Sequence, residues 1–268
     1  MSVTDVGILA RDSVARRMNR EAFLLFGGTA ALLLQVAHPR VAAGVSEHSD
    51  FRSDPFGRLL RTLNTTLGIV FGSTPAARAA LRRIDRRHVA VRGTTPTGAS
   101  YDARDPRLLL WVQVTLVVTS LRLYELVRGR LTDADRESYW AEARFFAGEL
   151  GATRGGSSIP ASYADLMGYE RYMLANEAVP DANAVAVARA VLRPFGLPAA
   201  AYWPVDAFTA GLLPPSIRLA FGLPWRTRER LWFRFVISAL RFFLPIVPAR
   251  IRVVPQARAY ARRLKLRD

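Results

Sequence analysis

His38, His48 and His88 are the only imidazoles in this 268-residue chain, and it has no cysteine. Thiolate nucleophiles, disulfides, iron–sulfur clusters and cysteine-based zinc sites are therefore excluded. HExxH is absent and no two histidines stand at i, i+4, so nothing local marks a two-histidine metal grip on one helix. A haem asks for less: one axial imidazole, apolar walls, and cations for its propionates. His88 suits that axial role best. Ala77, Leu81, Ile84, His88 and Val91 recur at spacings of three and four, which turns the imidazole inward, whereas arginines 78, 82, 86 and 92 fall elsewhere.

The other polar candidates leave alternatives open. His38 stands before Pro39 at a helix end, where lining a pocket rim and capping the last carbonyls serve equally well. Glu47, His48, Ser49 and Asp50 read as a compact polar turn between helices, offering an acid–base group or a cap. Arg58 and Thr62 are stacked at i, i+4, and so are Arg61 and Thr65. Facing the interior, these guanidiniums need an anion such as a haem propionate, a bound peroxide or a substrate carboxylate. Facing water, they carry no chemistry. Gln113 interrupts an apolar run on the face of Leu109, Leu116 and Ser120. A buried amide demands partners, and a hydrogen bond to a ligand or cofactor is one way to supply them. GxGxxG, Walker A and G-x-S-x-G patterns are all missing, so nicotinamide-binding, P-loop and serine-hydrolase readings have no support.

The elements that must position these groups read as helices almost throughout, giving an all-α chain with a single domain over residues 1–268. Residues 23–39 are apolar up to Pro39. Ser53 or Asp54 caps a helix with Pro55 in its first turn and a stripe of Phe56, Leu59, Leu60, Leu63, Leu67 and Val70. A second periodic stretch covers 76–92, and "GTTPTGASYDARD" reads as a loop. Asp105–Pro106 opens a core helix over 106–128, and Thr132 with Asp135 approximates a capping box for 134–150. Helices ending near Leu174 and Arg193 follow, then short helices in the Pro- and Gly-rich stretch 194–226, and a basic tail.

The formal net charge is +16, and Lys265 is the only lysine. Arginines are scattered through nearly every segment without zinc-finger spacing, an RNP-like aromatic stretch or a glycine-flanked basic loop, which argues against nucleic acid as a partner. An anionic membrane surface or an acidic partner remains compatible with the charge. The N-terminus lacks a signal-peptide pattern, so a cytoplasmic location is expected. The oily run 108–121 is short for a bilayer span and contains Gln113 and three hydroxyl residues, as a buried core helix would. "TRERLWFRFVISALRFFLP" either packs on the core or rests on a membrane as a peripheral contact.

Taken together, "LLLQVAHPRVAAGVSEHSDFRSDPFGRLLRTL", "IDRRHVAVRG", "YDARDPRLLLWVQVTL", "YWAEARFFAGELG", "IPASYADL" and "TAGLLPP" carry a resemblance. Their order and spacing over about residues 20–250 resemble the family of the rubber oxygenase (latex-clearing protein) catalytic domain and the fungal endoplasmic-reticulum-bound oxygenase of mycophenolic acid biosynthesis. The resemblance implies an all-helical domain, haem b, and an oxidoreductase that uses dioxygen on an unsaturated or lipophilic small substrate. By the same resemblance His88 matches the axial iron ligand of an H-x-x-V-x-G segment. Arg58, Arg61 and Thr62 match an R-x-x-K-T pattern, with arginine replacing lysine, and Glu47 matches an acidic residue proposed as a base. Two departures stand out. Gln113 occupies a position where the family usually carries histidine, and Asp85 stands three residues before His88, where rubber oxygenase has another histidine. These departures leave a second reading, a non-catalytic haem- or ligand-binding protein of the same fold.

Overall fold

The chain enters the fold through helix α1 (Val14–Asn19), whose first turn is capped from far along the sequence. The Glu142 carboxylate accepts from Ser13 Oγ at 2.8 Å, Val14 N at 3.2 Å and Ala15 N at 2.7 Å, satisfying donors that a helix start leaves open. A 3₁₀ turn (Ala22–Gly27) leads into α2 (Gly28–Val36), and the chain then bends by 109° into α3 (Pro39–His48). Pro39 lacks an N–H and disfavours helical geometry in the residue before it, so the long apolar stretch breaks there. The computed structural model describes residues 5–48 and 55–265, apart from the side chains of residues 55, 56, 58 and 59. The Ser53 or Asp54 cap and the Phe56 and Leu59 part of the expected stripe thus lie outside the described residues.

Helices α4 (Pro55–Phe71) and α5 (Thr74–His88) form a hairpin, with Ser73 capping α5 and Pro75 in its first turn. Leu67 and Val70 are buried on α4, as are Ala77 and Leu81 on α5, whereas arginines 78, 82 and 86 are exposed. α5 stops at His88, short of the periodic stretch to 92. Val91 leaves the helix to accept a hydrogen bond from Ala103 N at 2.8 Å. The expected loop after it contains two short antiparallel strands, β1 (Arg92–Thr94) and β2 (Ser100–Asp102), with Gly93 opposite Tyr101. At three residues each, these strands are too short for an alternating pattern to show in the sequence.

Helix α6 (Pro106–Arg128) begins as its sequence dictates, with Asp105 accepting from Arg107 N at 2.9 Å and Pro106 in the first turn. Trp111, Val114, Val117, Leu121 and Leu123 are buried on it, and α2, the 3₁₀ turn 22–27 and later helices pack around it. It is long and apolar enough to cross a membrane, but 56% of that stretch is buried inside the fold, so here it is the central helix of the bundle. α7 (Asp133–Leu150) is capped by Thr132 Oγ, which accepts from Asp135 N at 3.0 Å. α8 (Tyr163–Asn176) carries a full Ser162–Asp165 capping box, and Asp181 caps α9 (Ala182–Leu192).

The stretch 194–226 holds the short α11 (Pro215–Ala220), as expected, but also α10 (Ala199–Leu212), which continues past the internal Pro204. α12 (Thr227–Phe243), α13 (Ala249–Arg252) and α14 (Pro255–Arg263) complete the chain. The result is an all-α, single-domain bundle whose main apolar core runs from Leu9 to Leu264. α1 and α14 meet inside it. The buried Arg16 guanidinium donates to Val70 O, Ala10 O, Val6 O and the Tyr260 hydroxyl. α10 and α12 pack so closely that a Cβ at Gly211 would meet the Phe233 ring. We expect Gly211→Ala to cost about 1–3 kcal/mol of stability, measured by urea unfolding, because the overpacked ring must move. Phe233→Leu in the same chain should recover part of that loss.

Candidate active site at the end of the α4–α5 hairpin

The short connection between α4 and α5 brings the first turns of α4 and the last turn of α5 to the same end of the pair. His88 closes α5 on its inward stripe, half-buried as the spacing predicts. Its ring makes no hydrogen bond to another described residue. Burial holds its pKa below the usual 6.5, and the guanidiniums of Arg154 and Arg104 push the same way, against the carboxylates of Asp85 and Asp102. The imidazole is therefore neutral at pH 7, the form that binds metals.

One turn earlier, Asp85 accepts from Arg154 Nη2 at 2.7 Å and from Arg104 Nε at 3.1 Å. Those hydrogen bonds, Arg154's first, keep the carboxylate below its ordinary value. Asp85 thus ties α5 to the β2–α6 junction and to the 3₁₀ turn Arg154–Gly156 that follows α7. A cleft of about 380 Å³ opens beside it, lined by Leu81, Arg82, Arg86, Glu149 and Arg154 among others.

On the strand side, the Tyr101 hydroxyl donates to Glu47 Oε2 at 2.5 Å and lies 3.1 Å from His48 Nε2. Burial, reinforced by the Glu47 hydrogen bond and charge, pushes the Tyr101 phenol up to about 12. Gly93, five residues past His88, passes directly under this ring, and a Cβ there would sit 2.6 Å from the Tyr101 oxygen. Val91 and the Tyr101 ring also cover Gly44 of α3. Glu47 and His48 belong to the last turn of α3, not to a turn between helices, and Ser49 and Asp50 lie outside the described residues.

Arg61 and Thr62 are exposed on α4, and the Arg58 side chain lies outside the described residues. Thr65 Oγ donates to Arg61 O at 2.8 Å and Thr66 Oγ to Thr62 O at 3.1 Å, so these hydroxyls bond the backbone one turn back. Gln113 Nε2 donates to Ala143 O at 3.4 Å, across the α6–α7 contact. His38 is buried, with its pKa lowered chiefly by that burial, and its Nδ1 accepts from Arg40 N at 3.2 Å. It therefore caps the start of α3 and not the last carbonyls of α2.

Sequence reasoning missed Tyr101, Arg104 and Arg154 as neighbours of the site. The first two stand in the "YDARDPRLLLWVQVTL" block, where a tyrosine and an arginine flank a helix start. Arg154, in a glycine-rich turn, gave no signal.

A family model described as the ER-bound oxygenase mpaB/B′/rubber oxygenase catalytic domain matches residues 15–242. The chain belongs to that family. Two relatives, the uncharacterized protein Mb2261 of Mycobacterium bovis and the uncharacterized protein Rv2237 of Mycobacterium tuberculosis, are each 29% identical to it over 236 residues. The match covers 82% of this chain and 89% of theirs.

Haem is the cofactor this family association suggests, and the described residues meet part of its needs. No group of three or more His, Asp or Glu side chains able to hold a bare metal ion occurs among them. A porphyrin iron requires no such cluster, and a neutral, uncommitted imidazole beside guanidiniums fits one axial bond and anionic propionates.

Folding favours neutral His88, so its contribution to stability is complete above pH 6.5 and is lost as pH falls through the lower folded-state value. In Asp85→Asn the two guanidiniums would remain beside the ring without their carboxylate. We expect the His88 midpoint, followed by NMR titration, to move further down in that variant. An upward shift would contradict this charge arrangement.

Proposed function

We propose that the chain is a haem b-dependent oxygenase acting with dioxygen on an unsaturated or otherwise lipophilic small substrate, in the cytoplasm with peripheral membrane contact. The observation that carries the reading is His88: neutral, half-buried and without a hydrogen bond to another described residue, in a chain of this family. When bound, haem supplies a redox-active iron for dioxygen chemistry.

His88 would hold that iron. Asp85 fixes Arg154 and Arg104 near the ring, and their positive charge disfavours an imidazolium that could not ligate. Arg58 would neutralise a propionate or negative charge developing on oxygen, whereas Arg61 and Thr62, exposed on α4, would reach only a solvent-facing propionate. Glu47 would accept a proton from the substrate. Tyr101, which titrates only near 12, keeps its own proton and orients the Glu47 carboxylate. Gln113 would act at the cofactor's periphery through its amide oxygen, since its nitrogen is bonded to Ala143 O.

A second reading, a haem- or ligand-binding protein without turnover, draws support from the same two positions where the resemblance leads one to expect histidine. Asp85 and Gln113 are both held by structural partners.

The deciding experiment is the visible spectrum of protein from haem-replete cells beside the His88→Ala variant. We expect a Soret band in the parent and at least about a tenfold loss of retained haem in the variant, as removal of a sole protein ligand implies. A folded parent that takes up no haem would overturn the oxygenase and leave, of the second reading, only a protein that binds another ligand. Oxygen uptake with an unsaturated lipid separates them, since only the oxygenase consumes it.

A further inference from the structure

A surface helix needs one apolar face, and α12 has two. Its inner face is complete: Phe233 and Ile237 are buried with Leu244, and Phe233 packs its ring 5.6 Å from Phe208 and 5.7 Å from Trp225. Its outer face is also apolar. Leu231, Phe235 and Phe242 are each more than half exposed, Phe242 at 73%. At about 100° per residue, their spacings of four and seven place them within about 40° of one another, in one stripe along the helix. At the helix end the exposed Phe243 lies against Phe242, and just beyond it Ile246 is 71% exposed.

Cations flank this stripe on both sides. On the same angular reckoning, measured from the middle of the stripe, Arg228 falls about 40° to one side, and Arg234 and Arg241 about 80–100° to the other. Beyond α12, Arg250 is exposed next to the exposed Ile251. The one acidic residue between positions 227 and 252, Glu229, is buried and accepts from the Trp203 indole at 2.9 Å. Arg228 stacks 3.7 Å above that same Trp203 ring. The surface therefore offers exposed aromatic and aliphatic groups between guanidiniums, with no exposed carboxylate of its own segment.

We infer that the outer face of α12 and the following turn dock on an anionic phospholipid bilayer. Phenyl and aliphatic groups enter the acyl boundary while guanidiniums donate bidentate hydrogen bonds to lipid phosphates. A second copy of the chain is a poorer occupant. Two-fold pairing would set these arginines against their own kind without acids to answer them. The inference deepens the peripheral membrane contact of the proposed function and does not depend on haem.

The test is flotation of the full chain with vesicles of phosphatidylcholine alone and of phosphatidylcholine mixed with phosphatidylglycerol. We expect binding to the mixed vesicles that weakens with added salt, and much weaker binding to the neutral ones. Arg234→Gln with Arg250→Gln should weaken binding to mixed vesicles at least about tenfold, since each surface arginine contributes roughly a factor of five. Phe242→Ser with Ile246→Ser should do at least as much while leaving the unfolding midpoint unchanged, because both side chains point outward. A parent that ignores mixed vesicles, or variants that bind like the parent, would overturn the proposal. So would a parent dimer in sedimentation velocity that Phe242→Ser with Ile246→Ser dissociates, which would assign the face to a second copy.

Discussion

The rest of the structure depends on covering α6. A helix apolar around most of its circumference cannot face water on any side, so other elements must surround it. α2, α7, α8, α10 and α12 all pack on it. Its first turn also anchors the candidate site. Asp105 caps α6, and the residue before that cap is Arg104, which reaches Asp85 on α5. The position of the charge beside His88 is thus set by where the central helix begins.

Arginine is used in two distinct ways. One set is drawn inward onto carboxylates. Arg122 meets Glu170 at 2.5 Å, Arg136 meets Glu125 at 2.6 Å, Arg128 meets Glu21 at 2.7 Å and Arg193 meets Asp206 at 2.7 Å. In three of these pairs the guanidinium answers a buried acid, and in the fourth Glu125 answers the buried Arg136; either charge would be costly to bury alone. The other set stays outside, on α5 and α12, and supplies the surface charge. The formal net charge of +16 conceals this division, because a pair count needs tertiary structure and a composition does not supply it.

What the sequence shows depends on how local each cause is. α6 and α7 were legible because Asp105 and Thr132 act within three residues of the backbone they cap. The inward turn of His88 was legible because helical periodicity is local. The β1–β2 pair was not, since its register depends on a ring fitting over a glycine. Nor was the bond from Tyr101 to Glu47, whose partners stand 54 residues apart. Arg61 and Thr62 carried two readings in the sequence, and the structure places both on an exposed part of α4. The role of His38 was half legible: a cap was foreseen, but the capped group is the Arg40 N–H of the next helix.

The contact between Gly93 and Tyr101 has a consequence for how chains of this kind can diverge. The absence of a side chain at 93 is what lets the ring lie flat enough for its oxygen to reach Glu47. A Cβ at 93 would sit 2.6 Å from the Tyr101 oxygen, so the ring would have to shift and draw its hydroxyl away from the Glu47 carboxylate at the end of α3. Drift at these two positions is therefore coupled. A lineage that loses the tyrosine is released from the glycine, and one that keeps the tyrosine is not.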